Sequence, residues 1–97
     1  MRYRVRGDLA TTWVTSTTVS ISASGIRMRG RDGMEPGAFL ELKISLPGIP
    51  ELEIPGTIVW RSLRAPGVTE YGVEFACLTT PQQMQIDRLV AFLRRRL

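Results

Sequence analysis

The sequence predicts an all-β domain with one C-terminal helix, a small antiparallel barrel or sandwich of six or seven short strands. Three observations predict it. Apolar residues alternate with polar ones at a period of two over most of residues 19–77, and that period marks strands with one buried face. Glycine and proline clusters separate the alternating runs at short intervals. The alternation then gives way to apolar residues at helical spacing after Thr80.

Taken in order, residues 1–7 are a basic arm in which Arg2, Arg4 and Arg6 alternate with Tyr3 and Val5. If extended, the arm places three guanidinium groups on one side; if mobile, it is a charged tail. The barrel is expected over residues 10–77. Ala10–Thr18 is rich in threonine, with Trp13 and Val14, and reads as a strand. Val19–Met28 follows as a strand interrupted by a tight turn. Val19 and Ile21 alternate with Ser20 and Ser22 before Gly25, and Ile26 and Met28 alternate with Arg27 and Arg29 after it. A glycine at this break permits a positive φ and leaves room for another group to approach.

Gly30-Arg31-Asp32-Gly33 and Met34-Glu35-Pro36-Gly37 read as turns. From Phe39 to Leu46, residues Leu40, Leu42, Ile44 and Leu46 point inward while Glu41, Lys43 and Ser45 point outward. Leu52 and Ile54 continue the pattern, and Pro55-Gly56 suggests a bend or bulge before Thr57–Trp60. Trp60 and Trp13 could each stack on a base, but Trp60 shares a parity with Ile58 and is expected in the core. Arg61–Thr69 reads as a polar segment containing an Ala65-Pro66-Gly67 loop. Tyr71, Val73 and Phe75 then face inward, with Glu70, Gly72 and Glu74 outward, and Cys77 is expected as a small buried hydrophobe. Thr79-Thr80-Pro81 opens a helix over 80–97, threonine as cap and proline at the first helical position. Met84, Ile86, Leu89, Val90, Leu93 and Leu97 form its apolar stripe, and Arg94, Arg95 and Arg96 suit the negative end of its dipole.

Composition narrows the function. The chain has 97 residues, enough for one modest core in a single domain and too few for a deep catalytic cleft as well. It has no histidine and one cysteine, so zinc sites of the usual type, internal disulfides and the commonest general base are all excluded. Neither a catalytic residue set nor a metal site nor a cofactor is expected. No apolar run is long enough to span a membrane, and the N-terminal residues do not resemble a secretory signal, so a cytoplasmic location is expected. The net charge is +4, and of the 13 basic residues only Lys43 is not arginine. Arginine presents a planar fork that fits phosphates and the Hoogsteen edge of guanine. A GC-rich coding sequence accounts for the arginine excess equally well, so position rather than number carries the argument.

Ser20, Ser22 and Gly25 fall on the spacing Asp/Asn-x-Ser-x-x-Gly, and this segment resembles the signature of PilZ domains, small bacterial β-barrels many of which bind cyclic di-GMP. Ser20 stands where the family usually has an acid or amide. The resemblance continues through Gly37–Leu46, Gly56–Trp60 and Tyr71–Phe75 and into the closing helix. It implies a PilZ-like barrel in which Arg2 and Arg6, at the family's Arg-x-x-x-Arg spacing, clamp the nucleotide. Ser20, Ser22 and Gly25 would form the platform, flanked by Arg4, Arg27 and Arg29. A receptor or adaptor that relays cyclic di-GMP to an unknown protein partner is the function so implied. Such a clamp requires the arm to fold back onto the Ser20–Gly25 surface. The alternative is a degenerate PilZ domain that acts through protein contacts alone. A small basic nucleic-acid-binding barrel comes third, since a row of aromatics on one sheet face is absent.

Overall fold

A computed structural model describes residues 1–6, 13–46 and 49–95, with Leu46 and Ile49 as backbone only. Among these residues the strands are β1 (Arg2–Val5), β2 (Val14–Thr15), β3 (Thr17–Ile21), β4 (Gly25–Gly30), β5 (Phe39–Leu46), β6 (Ile49–Ala65) and β7 (Val68–Phe75), followed by helix α1 (Thr80–Arg95). The sheet order is β2-β1-β5-β6-β7-β4-β3, with every neighbouring pair antiparallel. The two outermost strands, β2 and β3, are consecutive in the chain and flank Ser16. The sheet therefore curls into a half-barrel whose two edge strands come together at Ser16. The Ser16 backbone N–H donates to the Met1 carbonyl at 2.9 Å, and its hydroxyl donates to the Arg29 carbonyl. Among the described residues β3 forms a ladder with β4 alone, so its outer edge beyond this junction stays open.

The alternation of the sequence becomes the inside and outside of the barrel. Tyr3, Ile26, Met28, Leu40, Leu42, Ile44, Leu52, Ile54, Ile58, Tyr71, Val73 and Phe75 are buried together with Ile86, Leu89 and Val90 of the helix. Each large side chain so buried contributes roughly 1.5–3 kcal/mol relative to an exposed one. The arm is strand β1, paired with β2 on one side and β5 on the other, so the extended alternative holds. Two core tyrosines also organise the turns at one end. Tyr71 donates to the Arg31 carbonyl at 2.6 Å and accepts from the Met34 N–H at 3.3 Å, while Tyr3 accepts from the Arg31 N–H at 3.2 Å.

Helix α1 lies across the opposite part of the barrel. Thr79 caps it: its hydroxyl accepts from the Gln82 N–H at 3.2 Å, and the Gln82 side chain accepts from the Thr79 N–H at 2.9 Å. Proline is therefore the second helical residue, one later than expected. Gln82 also donates to the Glu53 carbonyl and Gln83 to the Ala23 carbonyl, which ties the helix start to β6 and to the β3–β4 turn. Met84 is exposed, because the buried stripe is Ile86, Leu89 and Val90 and Met84 lies about 200° around the helix from Ile86. Leu97 and Arg96 lie outside the described residues, as do Ala10, Thr11 and Thr12 of the expected strand Ala10–Thr18.

Several local expectations change. Pro55-Gly56 does not interrupt β6: Glu41 faces Pro55 and Leu40 faces Gly56 in unbroken register. The register shift comes later, between Ile58 and Trp60. β6 continues to Ala65, and the loop contracts to Pro66-Gly67, with Gly67 at φ 79° as a tight turn after proline requires. Val19 is exposed rather than inward, because a register shift between Thr18 and Ser20 leaves it as the extra residue of a bulge. Cys77 is exposed at φ 48°, in the turn from β7 to the helix, not buried.

Candidate functional site

The signature segment forms a hairpin. Ile21 pairs with Ile26, and Ser22, Ala23, Ser24 and Gly25 turn the chain, with the Ser22 N–H donating to the Gly25 carbonyl at 2.9 Å. Gly25 does not use a positive φ, contrary to the sequence expectation. It is required instead by close approach: a Cβ there would lie 2.4 Å from the Val73 carbonyl oxygen of β7. Strand β4 can thus press against β7 at its start, which brings the turn level with Glu74.

The outer face beside this hairpin is a shallow cavity of about 430 Å³ whose lining includes Ser20, Ser22, Gly25, Arg27, Trp60 and Glu74. Arg27 donates from Nε to the Ser20 hydroxyl at 3.0 Å across the β3–β4 pair. The Ser22 hydroxyl lies 3.3 Å from that of Ser24. Trp60 is the main departure from the sequence reading. The bulge at Val59 reverses its parity, so it faces Gly72 on the outer surface rather than joining Ile58 in the core. The indole lies against the Gly72 backbone: a Cβ on Gly72 would sit 2.1 Å from Nε1 and 2.3 Å from Cε2. At 38% exposure, Trp60 offers an accessible aromatic face within the cavity.

Charge over this region is organised around one buried carboxylate. Glu70 is 2% exposed and is paired with Arg64, which donates to it from Nε at 3.0 Å and also from Nη2. That hydrogen bond holds the Glu70 carboxyl below its usual range against the opposing effect of burial, and the positive charges of Arg64, Arg27 and Arg29 lower it further. Arg29 sits directly opposite Glu70 across β4–β7, and Arg27 opposite Gly72. Of the two β4 guanidinium groups, Arg27 lines the cavity, whereas Arg29 lines a separate hollow with Ser16 and Val68.

The expected clamp is placed elsewhere. Arg2 donates to Glu51 at 3.0 Å, a carboxylate that also accepts from Ser45 at 2.8 Å. Those two hydrogen bonds, Ser45 first and Arg2 next, hold the Glu51 carboxyl below its usual range. Arg4 donates to Glu41 at 2.7 Å, and Arg6 lies 3.8 Å from the other oxygen of the same carboxylate. Arg4 also stacks over Trp13 at 4.4 Å from the ring centre, with Lys43 at 4.3 Å. Trp13 is thus committed to two cations of β1 and β5. Arg4 and Arg6 open onto a separate hollow with Phe39 and Cys77. Met1 and Ser45 share a third hollow with Ser20.

The structure thus brings Ser20, Ser22, Gly25 and Arg27 together and leaves Arg2, Arg4 and Arg6 outside that cavity. Sequence reasoning weighed base stacking by Trp60 but preferred the core for it, and it missed Glu74 as a member of the cavity. The available signal was Gly72, an outward-facing glycine in a strand, which marks close approach by a neighbour. Among the described residues no group of three or more Cys, Asp or Glu side chains could hold a metal ion, and no helix is long and apolar enough to cross a membrane. A family model for the PilZ domain matches residues 1–92. No curated protein and no solved structure matches the chain significantly.

Proposed function

The chain belongs to the PilZ domain family, whose members are binding or adaptor domains rather than enzymes, and on that premise we propose that it binds cyclic di-GMP on the outer face of β3, β4, β6 and β7 and relays it to a protein partner. The observation that carries this reading is the single cavity shared by Ser20, Ser22 and Gly25 with the Arg27 guanidinium and the exposed Trp60 indole. Hydroxyls accept and donate to a base edge, a guanidinium neutralises a phosphate or reads guanine, and an indole stacks on a base. Arg29 flanks the same strand. Arg2 and Arg6 are ligand contacts in this proposal only after they exchange their glutamate partners for phosphate. Exposed ion pairs of this type are worth about 0–1 kcal/mol, less than the roughly 1–3 kcal/mol of a bidentate arginine–guanine contact, so the exchange is energetically open.

A second reading is a PilZ domain that works through protein contacts without the nucleotide. It is favoured by the arginines of β1 being engaged by Glu51 and Glu41, and by the Ser20 hydroxyl already accepting from Arg27. Exposed Phe39, Val59, Leu63 and Met84 offer apolar contacts for it. Calorimetric titration of cyclic di-GMP separates the two. Saturable heat, reduced in Arg27→Ala and increased in affinity by Ser20→Asp, supports the receptor; no heat at high micromolar ligand leaves the protein-contact reading.

A further inference from the structure

We infer that Glu74 is the guanine-selecting residue of this face, supplying from β7 the carboxylate that Ser20 does not supply from β3. The inference rests on the receptor reading above and specifies which base it takes. The Watson–Crick edge of guanine presents two adjacent donors, N1–H and the N2 amino group, which a carboxylate accepts as a pair. Ser20 has one hydroxyl, and its oxygen already accepts from Arg27. It therefore offers this edge little.

Glu74 meets the requirement. It is exposed and faces outward between buried Val73 and Phe75. It stands opposite Gly25 in the β4–β7 register, at the turn of the signature hairpin. It lines the same cavity as Ser20, Arg27 and Trp60. Among the described residues its carboxylate makes no ion pair or hydrogen bond, whereas Glu41, Glu51, Glu53 and Glu70 are all paired with cations. Along the outer face of β7 the alternate positions thus differ in kind: Glu70 is buried under Arg64, Gly72 lies under Trp60, and Glu74 is open. A base lying against the indole presents its edge along the strand, toward either the Arg27 side or the Glu74 side. With guanine, the carboxylate meets donors. With adenine it meets the N1 acceptor beside a single amino group, and one lone pair opposes another. The position therefore selects guanine and disfavours adenine.

The test is calorimetric titration of cyclic di-GMP and cyclic di-AMP into the wild-type chain and Glu74→Gln, with circular dichroism confirming that the variant is folded. The change keeps shape and removes the charge. A weakening of cyclic di-GMP binding by about ten- to a hundredfold, with preference over cyclic di-AMP narrowed by a similar factor, is expected. Wild-type binding of cyclic di-GMP with Glu74→Gln within twofold overturns this inference while the receptor reading stands. Absence of binding by the wild-type chain overturns both.

Discussion

Replacing Gly72 with alanine puts a methyl group where the Trp60 indole lies. The new Cβ would be 2.1, 2.3 and 2.6 Å from Nε1, Cε2 and Cδ1 of the ring, whereas carbon atoms in contact normally stand about 3.5–4.0 Å apart. The ring must retreat by about 1 Å or more. It can do so without unfolding the barrel, because it is on the outer face and partly exposed. If it lifts off, it loses about a third of the roughly 150–250 Å² a tryptophan buries, or about 1–2 kcal/mol at roughly 25 cal/mol per Å². Removing a strand glycine returns about 0.5–1 kcal/mol through backbone entropy. The net loss is about 0–1.5 kcal/mol, centred near about 0.75 kcal/mol, a fall in Tm of about 3–6 °C at that centre for a domain of this size. Calorimetric melting measures the stability. Tryptophan emission measures the ring's environment, read in a Trp13→Phe background so that only Trp60 reports. A lower Tm with red-shifted emission is expected. A raised Tm with unchanged emission would show that the indole does not lie on Gly72, and the cavity would lose its aromatic wall.

Two further outcomes follow from the interior and from charge. Tyr71→Phe removes a buried hydroxyl that bridges the Arg31 carbonyl and the Met34 N–H, and should cost about 1–3 kcal/mol in chemical denaturation; an unchanged midpoint would mean the turn holds without it. Glu70 has its folded pKa lowered from the ordinary carboxylate value of 4.5, so the unfolded chain takes up its proton first as pH falls. Its contribution is complete above the unfolded pKa and disappears as pH drops from there through the lower folded value. Wild type should therefore lose stability more steeply than Glu70→Gln below about pH 4.5, and parallel pH profiles would contradict the pairing with Arg64.

The fold was legible because alternation and turn chemistry agree along most of the chain. Leu40, Leu42 and Ile44, then Tyr71, Val73 and Phe75, point inward as their period requires. What alternation cannot reveal is a single added residue. The bulges at Val19 and Val59 each reverse the parity beyond them, and the second carries Trp60 from the expected core to the outer face. The hairpin of the site was legible as a hydroxyl-and-glycine turn, although Gly25 serves strand contact rather than a positive φ. The partners of Arg2, Arg4 and Arg6 were not legible. They come from Glu41 and Glu51, more than thirty residues away, and depend on the β1–β5 and β5–β6 registers. Glu74 was placed on the right face, but nothing in its own segment linked it to Ser20 before the β4–β7 register was known.

The central claim is that the hairpin face, not the N-terminal strand β1 with Arg2 and Arg4, receives the nucleotide first. Amide chemical-shift mapping during titration of cyclic di-GMP into the labelled chain tests it most directly. The account predicts shifts concentrated at Ser20–Arg27, Trp60 and Gly72–Glu74, including the Trp60 indole N–H. Shifts confined to Arg4, Arg6, Phe39 and Glu41, or a spectrum that does not move, would contradict it.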